Sequence, residues 1–127
     1  MAEYAAPLRD IRFLLDNVVG IEELSKLEPY AHADPESIYG VLEEFGRLMS
    51  DVWSPLNVVG DVVGSHIEGD TVVTPEGFKT AYQQYVDAGW PAVAFPPEYG
   101  GGGFPWLVGI VMQEMLNSAN MALAMAP

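Results

Sequence analysis

Apolar positions recur at helical spacing in several stretches of the chain. Leu8, Ile11, Leu15 and Val18 follow Pro7 close to i, i+3, i+7, i+10 and stop near Gly20, which predicts a short helix from about Pro7 to Val19. The acidic stretch Ile21 to Ala33 has a weaker set, Ile21, Leu24 and Leu27, with Pro29 in it, and reads as a second short helical stretch. Asp34-Pro35-Glu36 is a strong helix start: a side-chain acceptor at the cap, a proline whose missing N–H costs nothing there, then an acid at the positive end of the dipole. Ile38, Val41, Leu42, Phe45, Met49 and Val52 then put one buried face on a helix from Pro35 to about Trp53. Ser54-Pro55 breaks or re-caps it, and Pro55 to Val59 supplies a further turn or two before Gly60.

The pattern changes between Gly60 and Thr74. Two short β-branched runs flank Glu68-Gly69-Asp70, as in an irregular loop or a minimal hairpin. Thr74-Pro75-Glu76 repeats the logic of Asp34-Pro35-Glu36, and Phe78, Ala81, Tyr82, Tyr85 and Val86 share one face of a helix that runs to about Ala88 and ends at Gly89. From Trp90 to Pro105 the prolines and the run Gly100-Gly101-Gly102-Gly103 exclude a helix interior or a central strand. Phe104 to Met125 has no Lys, Arg or Asp, but Gln113, Asn117 and Asn120, with Glu114 beside them, lay a polar strip along one face. A buried helix therefore fits better than a transmembrane one. The expected fold class is all-α: a bundle of four or more helices with a long Gly/Pro-rich loop before the last.

Length and charge narrow the function. The 127 residues suit one folded unit, read as a first part over 1–53 and a second over 54–127, and 50% hydrophobic content argues against disorder. Five Lys+Arg against 18 Asp+Glu give a net charge of -13, which makes nucleic acid an unfavoured partner. The absence of cysteine excludes a thiol nucleophile and a disulfide framework. The compartment is left open with a lean to cytoplasmic, and the opening MAEYAAPLRD does not read as a signal peptide.

Little in the chain reads as catalytic. His32 and His66 stand in unrelated segments without metal-ligand spacing, so no metal site is expected. Glu22-Glu23 and Glu43-Glu44 are adjacent pairs that diverge around a helix and read as solvated faces. The glycine run lacks the spacing of a dinucleotide or P-loop motif; a tight turn that brings backbone close to another surface is the simpler reading. The last helix is more apolar than a small bundle needs, with Trp106, Leu107, Ile110, Val111, Met112, Met115, Leu116, Met121, Leu123 and Met125. It suits either a core or the wall of an apolar site or interface.

The run YVDAGWPAVAFPPEYGGGGFP (Tyr85 to Pro105), the following Gln113-Glu114-Met115 and SANMALAMAP (Ser118 to Pro127) resemble the N-terminal helical domain of acyl-CoA dehydrogenases. PLRDIRFLLDNV (Pro7 to Val18), SPLNVVGD (Ser54 to Asp61) and TPEGFKTAY (Thr74 to Tyr82) resemble a larger subfamily with an extra N-terminal segment. Gly102 stands where the family commonly has Gln, and Gln113 where a second acid often precedes Glu114. The resemblance implies an enzyme that desaturates acyl-CoA thioesters in fatty-acid oxidation, with FAD as cofactor and an electron-transfer flavoprotein as acceptor. In the family the carboxylate base and most flavin contacts lie in a later β-domain and helical bundle. No catalytic or cofactor-binding residue is therefore assigned here, and FAD is not expected on this chain alone.

The implied role is a wall of the acyl-binding cavity, with Met121, Leu123, Ala124 and Pro127 as candidate substrate contacts by position. The remainder of the dehydrogenase, a second subunit or a homo-oligomer is the expected partner. Two other readings stay open: a non-catalytic helical interaction module derived from the same domain, and a small acidic bundle that binds a fatty acyl ligand alone. Arg9, Arg12, Lys26, Arg47 and Lys79 are scattered and suggest no site for CoA phosphates.

Overall fold

The computed structural model describes residues 4–127; the first three residues of the 1–53 part and of the opening stretch lie outside them. Helix α1 (Leu8–Leu14) widens into a π turn over Leu15–Val19 and stops at Gly20, whose φ of 73° is left-handed. The widening keeps Leu15 buried but leaves Val18 70% exposed. Helix α2 (Ile21–Ser25) and a 3-10 turn over Glu28–Tyr30 make up the weaker second stretch.

Helix α3 (Pro35–Leu48) begins where its cap predicts. Asp34 accepts the Ser37 backbone N–H at 3.1 Å and the Ser37 hydroxyl at 2.7 Å, and these bonds hold its carboxyl below the usual range, the hydroxyl contributing most. A π turn over Met49–Trp53 follows, so the expected Pro35–Trp53 helix is present with a changed pitch at its end. Ile38, Leu42, Phe45, Met49 and Trp53 are all buried on its inner face.

Two expectations are corrected. Helix α4 (Pro55–Val63) runs through Gly60 and ends at Gly64, because Gly60 is a contact glycine: a Cβ there would lie 2.7 Å from Phe78 Cζ. Helix α5 (Phe78–Asp87) begins three residues later than Thr74-Pro75-Glu76 implies, and without a side-chain cap. Its N-cap is Gly77, which meets Leu56 so closely that a Cβ would lie 2.7 Å from Cδ2, and its φ is 89°. Between them, β1 (His66–Glu68) and β2 (Thr71–Val73) form the minimal antiparallel hairpin, with Ile67 opposite Val72.

Helix α5 ends as expected, with Gly89 in the left-handed region. Helix α6 (Trp106–Ala124) packs on α3, the Met49–Trp53 turn and α4, burying Val108, Val111, Met112, Met115, Leu116, Ala119 and Leu123. The core is completed by Phe45 against Trp90 (centroids 5.1 Å) and Trp53 against Tyr85 (5.5 Å). Trp90 is partly buried, whereas Phe45, Trp53 and Tyr85 are buried, and full burial of a large apolar side chain contributes about 1.5–3 kcal/mol over exposure. The architecture is all-α apart from the hairpin, and no helix among the described residues is long and apolar enough to cross a membrane.

The polar strip expected on α6 is broken. Gln113, Glu114 and Asn117 are exposed, but Asn120 is buried and departs from helical backbone.

Candidate functional site

The C-terminal end of α6 borders an apolar depression. A cavity of about 550 Å³ lies between α4, the hairpin, α5 and the last residues of α6. Phe78 and Tyr82, one turn apart on α5, form one side with Pro75; Gly60 opens the α4 side; Ala122, Leu123 and Ala126 form the third. Ser65, Thr74 and Lys79 are the polar residues of the lining. A volume of this order with mostly apolar walls and a few polar groups suits a small apolar ligand. Leu56 and Phe78 pack close to Gly77 and Gly60, so the α4 and α5 walls are held together by contacts with little slack.

A second depression, about 380 Å³, is aromatic. Trp90, Phe95 and Trp106 line it with Met112, Gln113 and Pro127. The four positions singled out by resemblance are thus dispersed. Leu123 lines the first cavity and Pro127 the second, Ala124 is buried, and Met121 is 65% exposed. Phe78, Lys79, Tyr82 and Ala122 were not singled out. Phe78 and Tyr82 were legible as one apolar face of α5, but which neighbour that face would meet is a tertiary fact that spacing alone does not carry.

The glycine run resolves into a closed loop. The N–H groups of Gly100, Gly101, Gly102 and Gly103 donate to the carbonyls of Pro97 (2.9 Å), Pro96 (3.1 Å), Ala92 (2.9 Å) and Phe95 (2.9 Å). The surface that its backbone approaches is the Ala92–Phe95 segment of the same loop; a Cβ on Gly101 would lie 2.0 Å from Phe95 O. His32 fastens the loop to the body of the protein: its Nε2–H donates to Gly102 O at 3.0 Å, and its ring meets Phe104 edge-on at 5.7 Å. His66 pairs with Glu68 on the exposed hairpin at 2.8 Å. Among the described residues no group of three or more His, Cys, Asp or Glu could hold a metal.

A dinucleotide or CoA diphosphate needs convergent donors. The glycine N–H groups are all spent inside the loop. Arg12, Lys26 and Arg47 are paired with carboxylates, and Arg9 and Lys79 lie in separate helices. The described residues therefore do not fit the diphosphate of FAD, and what this chain offers is apolar contact and shape.

No protein-family model matches the chain. It is 40% identical over 124 residues to 3-methylmercaptopropionyl-CoA dehydrogenase of Ruegeria pomeroyi. It is 27% identical over an alignment of 136 positions to a broad-specificity linear acyl-CoA dehydrogenase of Mycobacterium tuberculosis. Each match takes in 98% of this chain, which spans 21% of either relative's length. Over nearly all of its length the chain is thus similar to one segment, about a fifth, of two acyl-CoA dehydrogenases.

Proposed function

We propose that this chain is the N-terminal helical part of a flavin-dependent acyl-CoA dehydrogenase of the larger subfamily, and that it supplies one wall of the cavity that takes the acyl chain. The observation that carries this reading is the apolar cavity of about 550 Å³ bordered by the last turn of α6, the turn that the family resemblance lays along the acyl chain. Leu123 contributes directly, and Met121, Ala124 and Pro127 are the further acyl contacts proposed from the same end of the helix. The relatives' names, one for 3-methylmercaptopropionyl-CoA and one for broad linear chains, support acyl-CoA thioesters as the substrate class.

The desaturation chemistry and its FAD belong to the remainder of the enzyme. Here Phe78, Tyr82, Ala122 and Leu123 hold an alkyl chain and keep water from it, which strengthens electrostatics at the thioester beyond the chain's end. The remainder of the dehydrogenase, in a homo-oligomeric and cytoplasmic enzyme, is the proposed partner. It would cover Phe95, Tyr99, Trp106 and Ile110, all about half exposed or more. The reading as a non-catalytic module has no observation of its own in its favour.

The test is to narrow the cavity from its α6 side. In the assembled enzyme, Ala122→Phe should raise KM for long acyl-CoAs roughly tenfold while leaving the shortest nearly unaffected. An unchanged chain-length profile would remove this cavity from acyl binding.

A further inference from the structure

The last turn of α6 does not simply continue the helix before it. Asn120 takes an extended backbone (φ -161°, ψ 93°), and its Oδ1 accepts the Leu123 N–H at 3.1 Å, three residues on. This is the geometry of an N-cap, so the turn that carries Ala122 and Leu123 starts afresh at Asn120. The other end of the same carboxamide reaches across the core: Nδ2 donates to the Trp53 carbonyl at 3.3 Å, 67 residues away in sequence.

That carbonyl is open to a side chain because its own segment leaves the α pattern. Met49–Trp53 is a π turn in which Ser54 N–H reaches back to Met49 O at 2.8 Å. The N–H that α-helical geometry would bring to Trp53 O is that of Asn57, and it turns instead to Ser54 O at 3.0 Å. Asn120 is 1% exposed and is the polar side chain in the buried core among the described residues. Burying a carboxamide is costly unless both ends are bonded, and here both are.

We propose that Asn120 is a positioning residue for the apolar cavity: by tying the last turn of α6 to the carbonyl released by the π turn, it sets where Ala122 and Leu123 stand and so how long an apolar chain fits. The part concerning substrate rests on the acyl-cavity reading above. An isosteric carboxyl distinguishes this from simple space-filling. In Asn120→Asp, a protonated carboxyl can accept from Leu123 and donate to Trp53, whereas an ionised one repels the carbonyl; burial raises the pKa of such a group well above the carboxylate range. Asn120→Leu fills the volume at every pH with neither bond.

Two readouts, taken from pH 8 downward beside wild type, test it. In the 127-residue chain, the Leu123 amide resonance and its hydrogen-exchange protection should be disturbed in both variants near neutral pH. They should return towards wild type on acidification only in Asn120→Asp. In the assembled dehydrogenase given acyl-CoAs of graded length, Asn120→Asp near neutral pH should raise KM for long chains roughly tenfold with kcat for the shortest unchanged. Asn120→Asp tracking Asn120→Leu at every pH, or a Leu123 amide undisturbed in both, would overturn the proposal. If the wild-type assembly acts on no acyl-CoA, the dehydrogenase reading falls, and the Leu123 amide still decides the role of Asn120.

Discussion

Arg12, Asp16, Glu36 and Tyr39 tie α1 to α3 on the surface. The Arg12 guanidinium lies 4.2 Å from the Tyr39 ring centroid and 3.0 Å from Glu36, and the Tyr39 hydroxyl donates to Asp16. Partial burial, then the bond to Asp16, pushes Tyr39 up from 10.0 to about 12. A raised pKa means that the folded state holds the phenol proton more tightly. Its contribution is therefore complete below pH 10.0 and is lost as pH rises to about 12. Denaturant titrations should show wild type more stable than Tyr39→Phe at neutral pH, with the gap closing across that window; a gap independent of pH would assign the effect to packing. The contrast between Asp34 and Asn120 explains which residues were legible in the sequence. Asp34 bonds to Ser37, three positions on, so its role is written in local order. Asn120 draws half of its role from Trp53, and no spacing within α6 shows that partner.

Glycines separate two kinds of behaviour at the level of elements. Gly40 lies on the exposed side of α3 with open space where a Cβ would stand, so Gly40→Ala should stabilise the protein by about 0.5–1 kcal/mol through helix propensity. Gly101 is pressed against Phe95 O, and Gly101→Ala should cost at least about 2 kcal/mol and loosen the loop. Thermal or urea unfolding of the two variants checks both signs, and a neutral Gly101→Ala would contradict the close approach. The sequence carried the helices whose apolar faces and caps agree, as in α3. It misplaced the end of α4 and the start of α5 because Gly60 and Gly77 are fixed by Phe78 and Leu56, contacts between elements. The π turns at Leu15–Val19 and Met49–Trp53 were invisible because the apolar spacing in the sequence stays α-helical through them, so that Val18 falls on the expected face yet is turned out to solvent.

Over the whole molecule, the exposed apolar side chains stand out. Val62 and Ile67 are each 76% exposed, Tyr99 78%, Trp106 63% and Met125 81%, around α4, the hairpin, the glycine loop and the ends of α6. Surface apolar residues in such number are a feature of covered faces. The isolated chain should bind a hydrophobic dye and self-associate with rising concentration, more readily as pH falls towards its acidic isoelectric point and the charge of -13 is neutralised. A monodisperse, dye-silent monomer would contradict this. The site was half legible at this scale. The over-apolar last helix pointed to a ligand wall or an interface, but the cavity also needs α4 and α5, and only the folded chain brings those together.

At the same scale stands the proposal that this chain is one part of a flavin-dependent acyl-CoA dehydrogenase. The most direct measurement is the near-ultraviolet and visible absorbance of the purified chain, alone and mixed with the polypeptide carrying the remainder of the enzyme, followed by acyl-CoA. We expect no flavin bands from the chain alone, flavin bands in the mixture, and their bleaching with dye reduction when acyl-CoA is added. A mixture that neither holds flavin nor reduces dye on acyl-CoA, in any combination, would contradict it.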